Sequence, residues 1–567
     1  MNGDNIEFKI KDGISNVLLG LGIHNPKVEL AHPELVFGDY TVNSAMVYAK
    51  ELAKNPRELA EIFVKGLGQV EGIEKVDIAG PGFINISLSK EVVRAEITRI
   101  NDIKYFETKY SGKKVLIEHS SPNLFKPFHI GHLMNNTIGE AIVRMTRAGG
   151  GEVATMSFPS DVSLGIAKAM YIVEKDGRLK VLGNPGADDI VYLGEAYTKG
   201  VAYYDEHLEE QQSIKELADK IYSEEYPLYE LCKNINIDYF LNTTKGLGSE
   251  FDSLVYESES GARGKNIISN NINKPFVQSQ GAVVYIPDED RKDINTTVFI
   301  NSQGNPTYAG KDIGLIDLKF EKYNPDTSVY VTDNEQIPHF RTVFAAAEQI
   351  DEVWHGRVSK SLHVPHGRMT FKGSKMSSRL GGVPLAEDII QVVMDEVRER
   401  SGGRVAGLSS EDKEKLFKDI SLAAIKFSIL RSKPGQNINF DPETSLSFEG
   451  DSGPYVQYTH ARLCSLLAKS GGILPKQDMA EPITDTERKL AQFESISKNA
   501  INEFAPQYIV TYLFELCQVF NSYYAQNHIV VEGDSFGTAH RLWVVEQVKS
   551  VIARGLEMLA VGAPEQM

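Results

Sequence analysis

Only three cysteines occur in 567 residues, Cys232, Cys464 and Cys517, too few and too scattered for a disulfide framework or a zinc cluster. No apolar run is long enough to cross a bilayer, so no membrane partner is expected. The opening residues, MNGDNIEFKIKDG, hold neither a basic leader nor an apolar stretch, so no secretory signal is expected. A reducing, cytoplasmic setting fits these absences. Positive charge is also short: 60 Lys and Arg against 77 Asp and Glu leave a formal net charge of -17. Indiscriminate nucleic-acid binding, which needs clustered cations against phosphates, is thereby excluded. A local basic face is not, because PHGRMTFKGSKMSSRLGG carries Arg368, Lys372, Lys375 and Arg379 with no acidic residue.

The length exceeds one ordinary core and predicts three or four domains. Residues 1–108 read as a small α+β domain, with helical stretches such as NPRELAEIFVKGLGQV and a closing hairpin, VDIAGPGFINISLS, turned at Gly-Pro-Gly. Residues 109–400 open with the apolar strand VLIEHSS. A helix follows, with Ile138, Ala141, Ile142 and Met145 on one side, and then a second strand, EVATMSF. Strand, helix, strand in that order predicts α/β architecture with a doubly wound parallel, Rossmann-like sheet. An acidic helical insertion, about residues 200–290, interrupts the sheet pattern, which is expected to resume with AVVYIP, TVFINS and DTSVYVTD. Residues 401–450 read as a connecting helical segment. Residues 451–567 show helical periodicity almost alone, which predicts an all-α bundle.

Chemistry concentrates in LIEHSSPNLFKPFHIGHLMNN, where His129 and His132 stand at the junction of strand and helix. The first turn of a helix has unpaired N–H groups and a dipole that favours anions. Imidazoles three apart share one face there, and Gly131 between them removes a side chain where a nucleotide would approach. Alone, the pair would read as capping or core histidines. Downstream, KMSSR lies within the basic stretch between Gly373 and Gly381, a cationic segment able to close over phosphates. Together the two motifs point to a bound triphosphate. Tyr308 and Asp312, four apart at a helix start, share a face. In the carboxy-terminal part, Tyr455, Tyr458, Arg462, Phe520, Asn521 and Tyr524 are suited to stacking on splayed nucleotide bases.

The ordered set of FGDYTVNSAM, GPGFIN, IEHSSPNLFKPFHIGHL, NPTYAGKDIG, DNEQIPHF, KMSSR, GPYVQYTHARLCSLL, FNSYY and VIARGLEMLAVGAPEQM resembles the class I aminoacyl-tRNA synthetases, specifically the arginyl enzymes, over nearly the whole chain. The resemblance implies ATP-dependent ligation of L-arginine to tRNA(Arg) through arginyl-adenylate, with Mg2+ helping to neutralise the phosphates. It implies an amino-terminal domain that binds the tRNA elbow, a helical anticodon-binding domain and a monomer that needs tRNA before it activates arginine. It assigns ATP to His129, Gly131, His132, His366, Gly367, Met369 and Lys375, and catalysis to Lys126, His129, His132, Lys375 and Arg379. Arginine falls to Glu118, Asn123, Tyr308, Asp312 and Gln336, and the tRNA elbow to Tyr40 and Asn43. No metal-ligating residue is assigned.

Two departures stand out. The second lysine of the general Lys-Met-Ser-Lys-Ser signature is Ser378 here, and Lys126 is the expected substitute, as in similar arginyl enzymes. In SFPSDVSLGIA, Ser160, Val162 and Ser163 replace the two glycines and the tryptophan of the usual Gly-Asp-Trp-Gly. The alternative reading is a non-catalytic tRNA-binding relative of the same fold.

Overall fold

In the segment KVLIE every residue after Lys114 is buried, the pattern of a central strand covered on both faces. A computed structural model describes residues 6–102, 104, 106–177, 187–222, 226–371, 384–401, 407–447 and 450–567. In chain order the strands are β1 (Tyr40–Val42), β2 (Ile73–Ala79), β3 (Phe83–Leu88), β4 (Lys114–Glu118), β5 (Glu152–Ser157), β6 (Ser253–Leu254), β7 (Phe276–Ser279), β8 (Ala282–Tyr285), β9 (Thr297–Ile300), β10 (Thr327–Asp333), β11 (Ser361–His366), β12 (Met369–Phe371) and β13 (Ile438–Phe440). Five of them form a parallel sheet in the order β11-β10-β4-β5-β6.

Alternation along β4 sorts its side chains between two cores. Val115 and Ile117 join Ala141, Ile142 and Met145 of the helix Ile130–Ala148. Leu116 joins Ile313 and Ile316 of the helix Tyr308–Tyr323 and Tyr330 of β10. Each fully buried aliphatic side chain contributes roughly 1.5–3 kcal/mol against exposure. By the same alternation Glu118 shares the face of Leu116 and points at the helix Tyr308–Tyr323. The chain runs outward from β4 through β5 and β6 on one side and through β10 and β11 on the other. The strand order therefore reverses between β4 and β10, and a crevice opens at their carboxyl ends, where ligands bind in open α/β sheets.

The Gly-Pro-Gly hairpin forms as expected, with Ala79 opposite Phe83 and both glycines at positive φ. Two expected sheet strands do not join the parallel sheet. AVVYIP and TVFINS supply β8 and β9 of a separate antiparallel sheet with β7. The cause is local: Gln280 and Gly281 both take positive φ, which makes a tight hairpin, and a hairpin cannot connect parallel neighbours. The helical insertion begins earlier than expected, at Leu164, and the segment 401–450 contains β13 as well as the helix Ser410–Leu430. Among the described residues from 453 onward the regular elements are helices, and no described helix is long and apolar enough to cross a membrane.

The amino-terminal domain, in which β3 lies between β1 and β2, is fastened to the carboxy-terminal helices by buried charge. Arg94 has no exposed side-chain surface. It donates from Nε to Glu487 at 2.7 Å and from its terminal nitrogens to the carbonyls of Asp478, Glu481 and Pro482. Arg488 reaches back to Asp39 at 2.5 Å, and Arg99 pairs with Glu494.

Candidate active site

His129 is the N-cap of the helix Ile130–Ala148, and its Nδ1 accepts from the backbone N–H of Gly131 at 3.1 Å. The backbone N–H of His129 donates in turn to Nδ1 of His132 at 3.3 Å. The two rings stack with centroids 3.8 Å apart and 13° between their planes. Burial, with the nearby charge of Lys126 adding to it, lowers the pKa of His129; burial, His129 and Lys126 push that of His132 down to about 3. Both imidazoles are therefore neutral. Since each Nδ1 is an acceptor, each ring carries its proton on Nε2, and the stacked pair has two N–H donors. Gly131 has a different reason from the one expected: a Cβ there would lie 3.0 Å from Cε1 of His129, so the glycine makes room for the capping ring.

This helix start is stitched to the residues that follow the KMSSR segment. Ile130 N–H donates to the Pro384 carbonyl at 2.9 Å, and Ala386 N–H donates to the Phe128 carbonyl at 2.8 Å. On the other side of that segment, β12 pairs in parallel with β13. Lys375, Ser378 and Arg379 themselves lie outside the described residues. Arg368, part of the same basic stretch, is met in space by Asp333 at 3.3 Å and by Glu335, so the charge reversal seen along the chain is partly neutralised. Lys126 is exposed, its ammonium 4.9 Å from the centre of the Tyr197 ring.

Asn135, which sequence reasoning missed, ties the carboxyl ends of three strands to this helix. Its Nδ2 donates to the Val331 carbonyl at 2.8 Å and to Nε2 of His366 at 2.9 Å, while its Oδ1 accepts from Ser120 N–H at 2.6 Å. With Nδ1 donating to the Gly367 carbonyl at 2.7 Å, both ring nitrogens of His366 are occupied. Gly367 is required by close approach, since a Cβ would come within 2.0 Å of the Gln436 carbonyl oxygen. The Met369 side chain turns into the core with Phe128, Ile130 and Met134.

At the carboxyl end of β4, Glu118 is buried, and its Oε2 lies 2.5 Å from Nζ of Lys319. Burial raises the Glu118 pKa, the adjacent Lys319 opposes that, and the charge of Asp312 adds to the rise. Asp312 stands one turn beyond Tyr308, the first residue of its helix, and its Oδ2 is 2.5 Å from Nε2 of His339. Tyr308 is 64% exposed, and Asn123 and Gln336 are also exposed at the rim. Lys319 and His339 were not expected. A helical period marks Lys319, seven residues after Asp312 and so on the same face, and His339 follows Gln336 by three at a helix start.

The segment that departs from Gly-Asp-Trp-Gly needs neither glycine. Ser163 caps the helix Leu164–Asp176 in an extended conformation by accepting from Ile166 N–H. Ser160 pairs with the loop at Pro122 and Leu124, and Val162 fills the core beside Leu124 and Ile166. Asp161 anchors the neighbouring helices through Ser258 at 2.7 Å and Lys233 at 2.9 Å.

Of the residues expected to meet tRNA, two are buried. Tyr40 packs against His32 with ring centroids 4.8 Å apart, and Phe520 lies wholly in the core of the helical domain, so neither offers a face for stacking. Asn43 is exposed. Tyr458, Arg462 and Tyr524 line an open cleft of about 670 Å³, with the Arg462 guanidinium 4.8 Å from the Tyr458 ring centre. Asn521 braces this group, accepting from Arg462 at 2.6 Å and donating to the Tyr455 hydroxyl at 3.0 Å.

Three family models match the chain: the Arginyl tRNA synthetase N terminal domain over residues 4–88, the class I (R) tRNA synthetase catalytic domain over 96–441, and the DALR anticodon binding domain over 456–567. The arginine–tRNA ligase of Clostridium perfringens is 29% identical over 559 residues, spanning 94% of this chain and 95% of its own. That of Bacteroides thetaiotaomicron is 25% identical over 600 residues, spanning 99% and 100%. The solved structure of the Thermus thermophilus arginyl-tRNA synthetase superposes with a TM-score of 0.83 at 25% identity, covering 98% of this chain and 99% of that one.

Proposed function

The chain belongs to the class I arginyl-tRNA synthetase family, and from that premise we propose how its own residues perform ATP-dependent ligation of L-arginine to tRNA. An arginine carboxylate oxygen attacks the α-phosphorus of ATP while the bond to pyrophosphate breaks. The acyl carbon of the adenylate then passes to a hydroxyl of the terminal tRNA ribose, and AMP departs. No covalent enzyme intermediate is needed, so the catalysis is positioning and charge stabilisation.

The observation that carries the assignment is the stacked pair of neutral imidazoles, His129 and His132, at the start of the helix that follows β4, each with Nδ1 accepting and Nε2 left as the donor. Neutral donors suit phosphate oxygens, because they add hydrogen bonds without having to lose a proton as negative charge moves onto pyrophosphate. Lys126 supplies a full positive charge beside them, strong enough to depress both imidazole pKa values, in the role vacated at Ser378. Lys375 and Arg379 act with it on the departing pyrophosphate, and His366, Gly367 and Met369 border the adenine through their backbone. Mg2+ is assigned to the phosphates of ATP itself.

Arginine is assigned to Glu118 and Asp312, with Asn123, Tyr308 and Gln336 at the rim. A planar cation with five N–H donors needs such a frame of acceptors, and a substrate lacking those donors leaves buried acceptors unpaired. The tRNA is assigned to Asn43 in the amino-terminal domain and to Tyr458, Arg462 and Tyr524 in the helical domain. We place the enzyme in the cytoplasm as a monomer, following its family. The test is pyrophosphate exchange with each amino acid in turn, with and without tRNA. Exchange only with arginine plus tRNA is expected, and exchange driven by another amino acid overturns the assignment.

A further inference from the structure

Lys319 has no exposed side-chain surface, and Glu118, at 2.5 Å, has 5%. The ammonium also lies 3.1 Å from the centre of the Tyr330 ring, and Tyr330 is the neighbour of Glu118 across the β10–β4 pair. A buried ion pair of this kind is a poor way to gain stability, since an apolar pair of similar volume is often as stable or more so. Its position suggests another use. Lys319 shares a helix face with Asp312, so three charges meet on one wall of the crevice.

We propose that Lys319 is a positioning and specificity residue of the arginine site. Its ammonium holds Oε2 of Glu118 and cancels one of two carboxylate charges, so that the pocket meets a guanidinium with one net negative charge, while Oε1 accepts only a long hydrogen bond from the Ser121 hydroxyl. This rests on the reading of Glu118 and Asp312 as arginine ligands. Two unopposed carboxylates in a desolvated pocket cannot both stay ionised; one takes up a proton. The charged or titratable groups facing Glu118 are Lys319 and Asp312 from the helix Tyr308–Tyr323 and Tyr330 from β10, with His339 behind Asp312; Ser121 adds a hydroxyl 3.4 Å from Oε1. Lys319 is the group among them whose ammonium lies directly against the carboxylate; burial lowers its pKa, and Glu118 opposes that fall. Without it, the rise that burial and Asp312 give the Glu118 pKa loses its main opponent, which favours the protonated acid, and a protonated acid is a poor acceptor for a guanidinium.

The experiment measures the arginine KM and kcat of Lys319→Met, Lys319→Arg, Glu118→Gln and the Lys319→Met/Glu118→Gln double variant against pH, with melting temperatures alongside. Lys319→Met is expected to raise the arginine KM at neutral pH at least about tenfold, with kcat little changed. The rise should shrink as the pH is raised and Glu118 ionises. Lys319→Arg is expected to restore the wild-type profile. In the double variant the KM should equal that of Glu118→Gln alone, because Lys319 acts through Glu118. A lower melting temperature with an unchanged KM profile makes Lys319 merely structural and overturns the proposal. So does a further KM rise in the double variant over Glu118→Gln, a comparison that stands even if Lys319→Met alone does not fold. If Glu118→Gln leaves the arginine KM unchanged, it is the assignment of Glu118 to arginine that fails, and the proposal falls with it.

Discussion

Nε2 of His339 stands 2.5 Å from Oδ2 of Asp312, on the oxygen that a substrate guanidinium would also seek. Burial by itself would lower the His339 pKa, but the hydrogen bond and charge of Asp312 carry it above the ordinary value. Protonated His339 is thus a competitor for the arginine site. Its stabilisation of the fold is fully present below the unfolded-state pKa and is lost as pH rises through the raised one. Substrate affinity runs the other way.

The arginine KM is therefore expected to fall as pH rises through the His339 pKa, which lies above the ordinary histidine value. His339→Gln, which keeps a donor but cannot become charged, should flatten that slope. Steady-state kinetics at saturating ATP and tRNA decide it, and a slope that persists in the variant would falsify the competition.

His129 caps its helix and is proposed to meet the substrate as well, and one substitution separates the two roles. Asparagine is a good N-cap, so His129→Asn should leave the melting temperature close to wild type, whereas His129→Ala should lose about 0.5–2 kcal/mol of stability. Both remove the Nε2 donor and should slow adenylate formation by about 10²–10³-fold. Pyrophosphate exchange and thermal melts read the two effects independently.

Lys126 lies in an exposed loop with its ammonium on the Tyr197 ring, so its removal should not disturb the fold. Lys126→Ala is expected to cut pyrophosphate exchange by at least about 10²-fold, the scale for losing one transition-state contact. Near-normal turnover would remove it from the phosphate site and leave Ser378 without a substitute.

Two aromatics of the helical domain should part company on mutation. Tyr458, 37% exposed beside Arg462, should raise the tRNA KM when changed to alanine by the equivalent of about 1–3 kcal/mol, with an unchanged melting temperature. Phe520→Ala should instead destabilise the domain by about 3–5 kcal/mol. Equal loss of stability in both would remove Tyr458 from the binding surface.

Local pattern carried much of the architecture. VLIEHSS, the helix after it and EVATMSF became β4, Ile130–Ala148 and β5, because apolar periodicity reports burial within one element. It does not report partners. AVVYIP has the same composition whether its neighbour is parallel or antiparallel, and the positive φ of Gln280, a residue with no turn preference, left little trace. Two-residue β6 is too short for any pattern. In the site, His129 and His132 were visible because a single turn contains both. Lys319 was not, because DLKFEKY reads as a solvated helix face, and only the return of the chain to β4 puts a carboxylate against it. Phe520 looked like a contact residue for a related reason, since aromatic content does not say which way a ring points, and Tyr40, assigned by resemblance alone, is likewise buried.

The burial of Arg94 between the first domain and the last helices has a mechanical consequence. A cation enclosed there, bonded to Glu487 and to three carbonyls, cannot slide without stranding all four acceptors. The amino-terminal domain and the helical domain are therefore locked together like the jaws of a fixed caliper rather than moving as two independent hands.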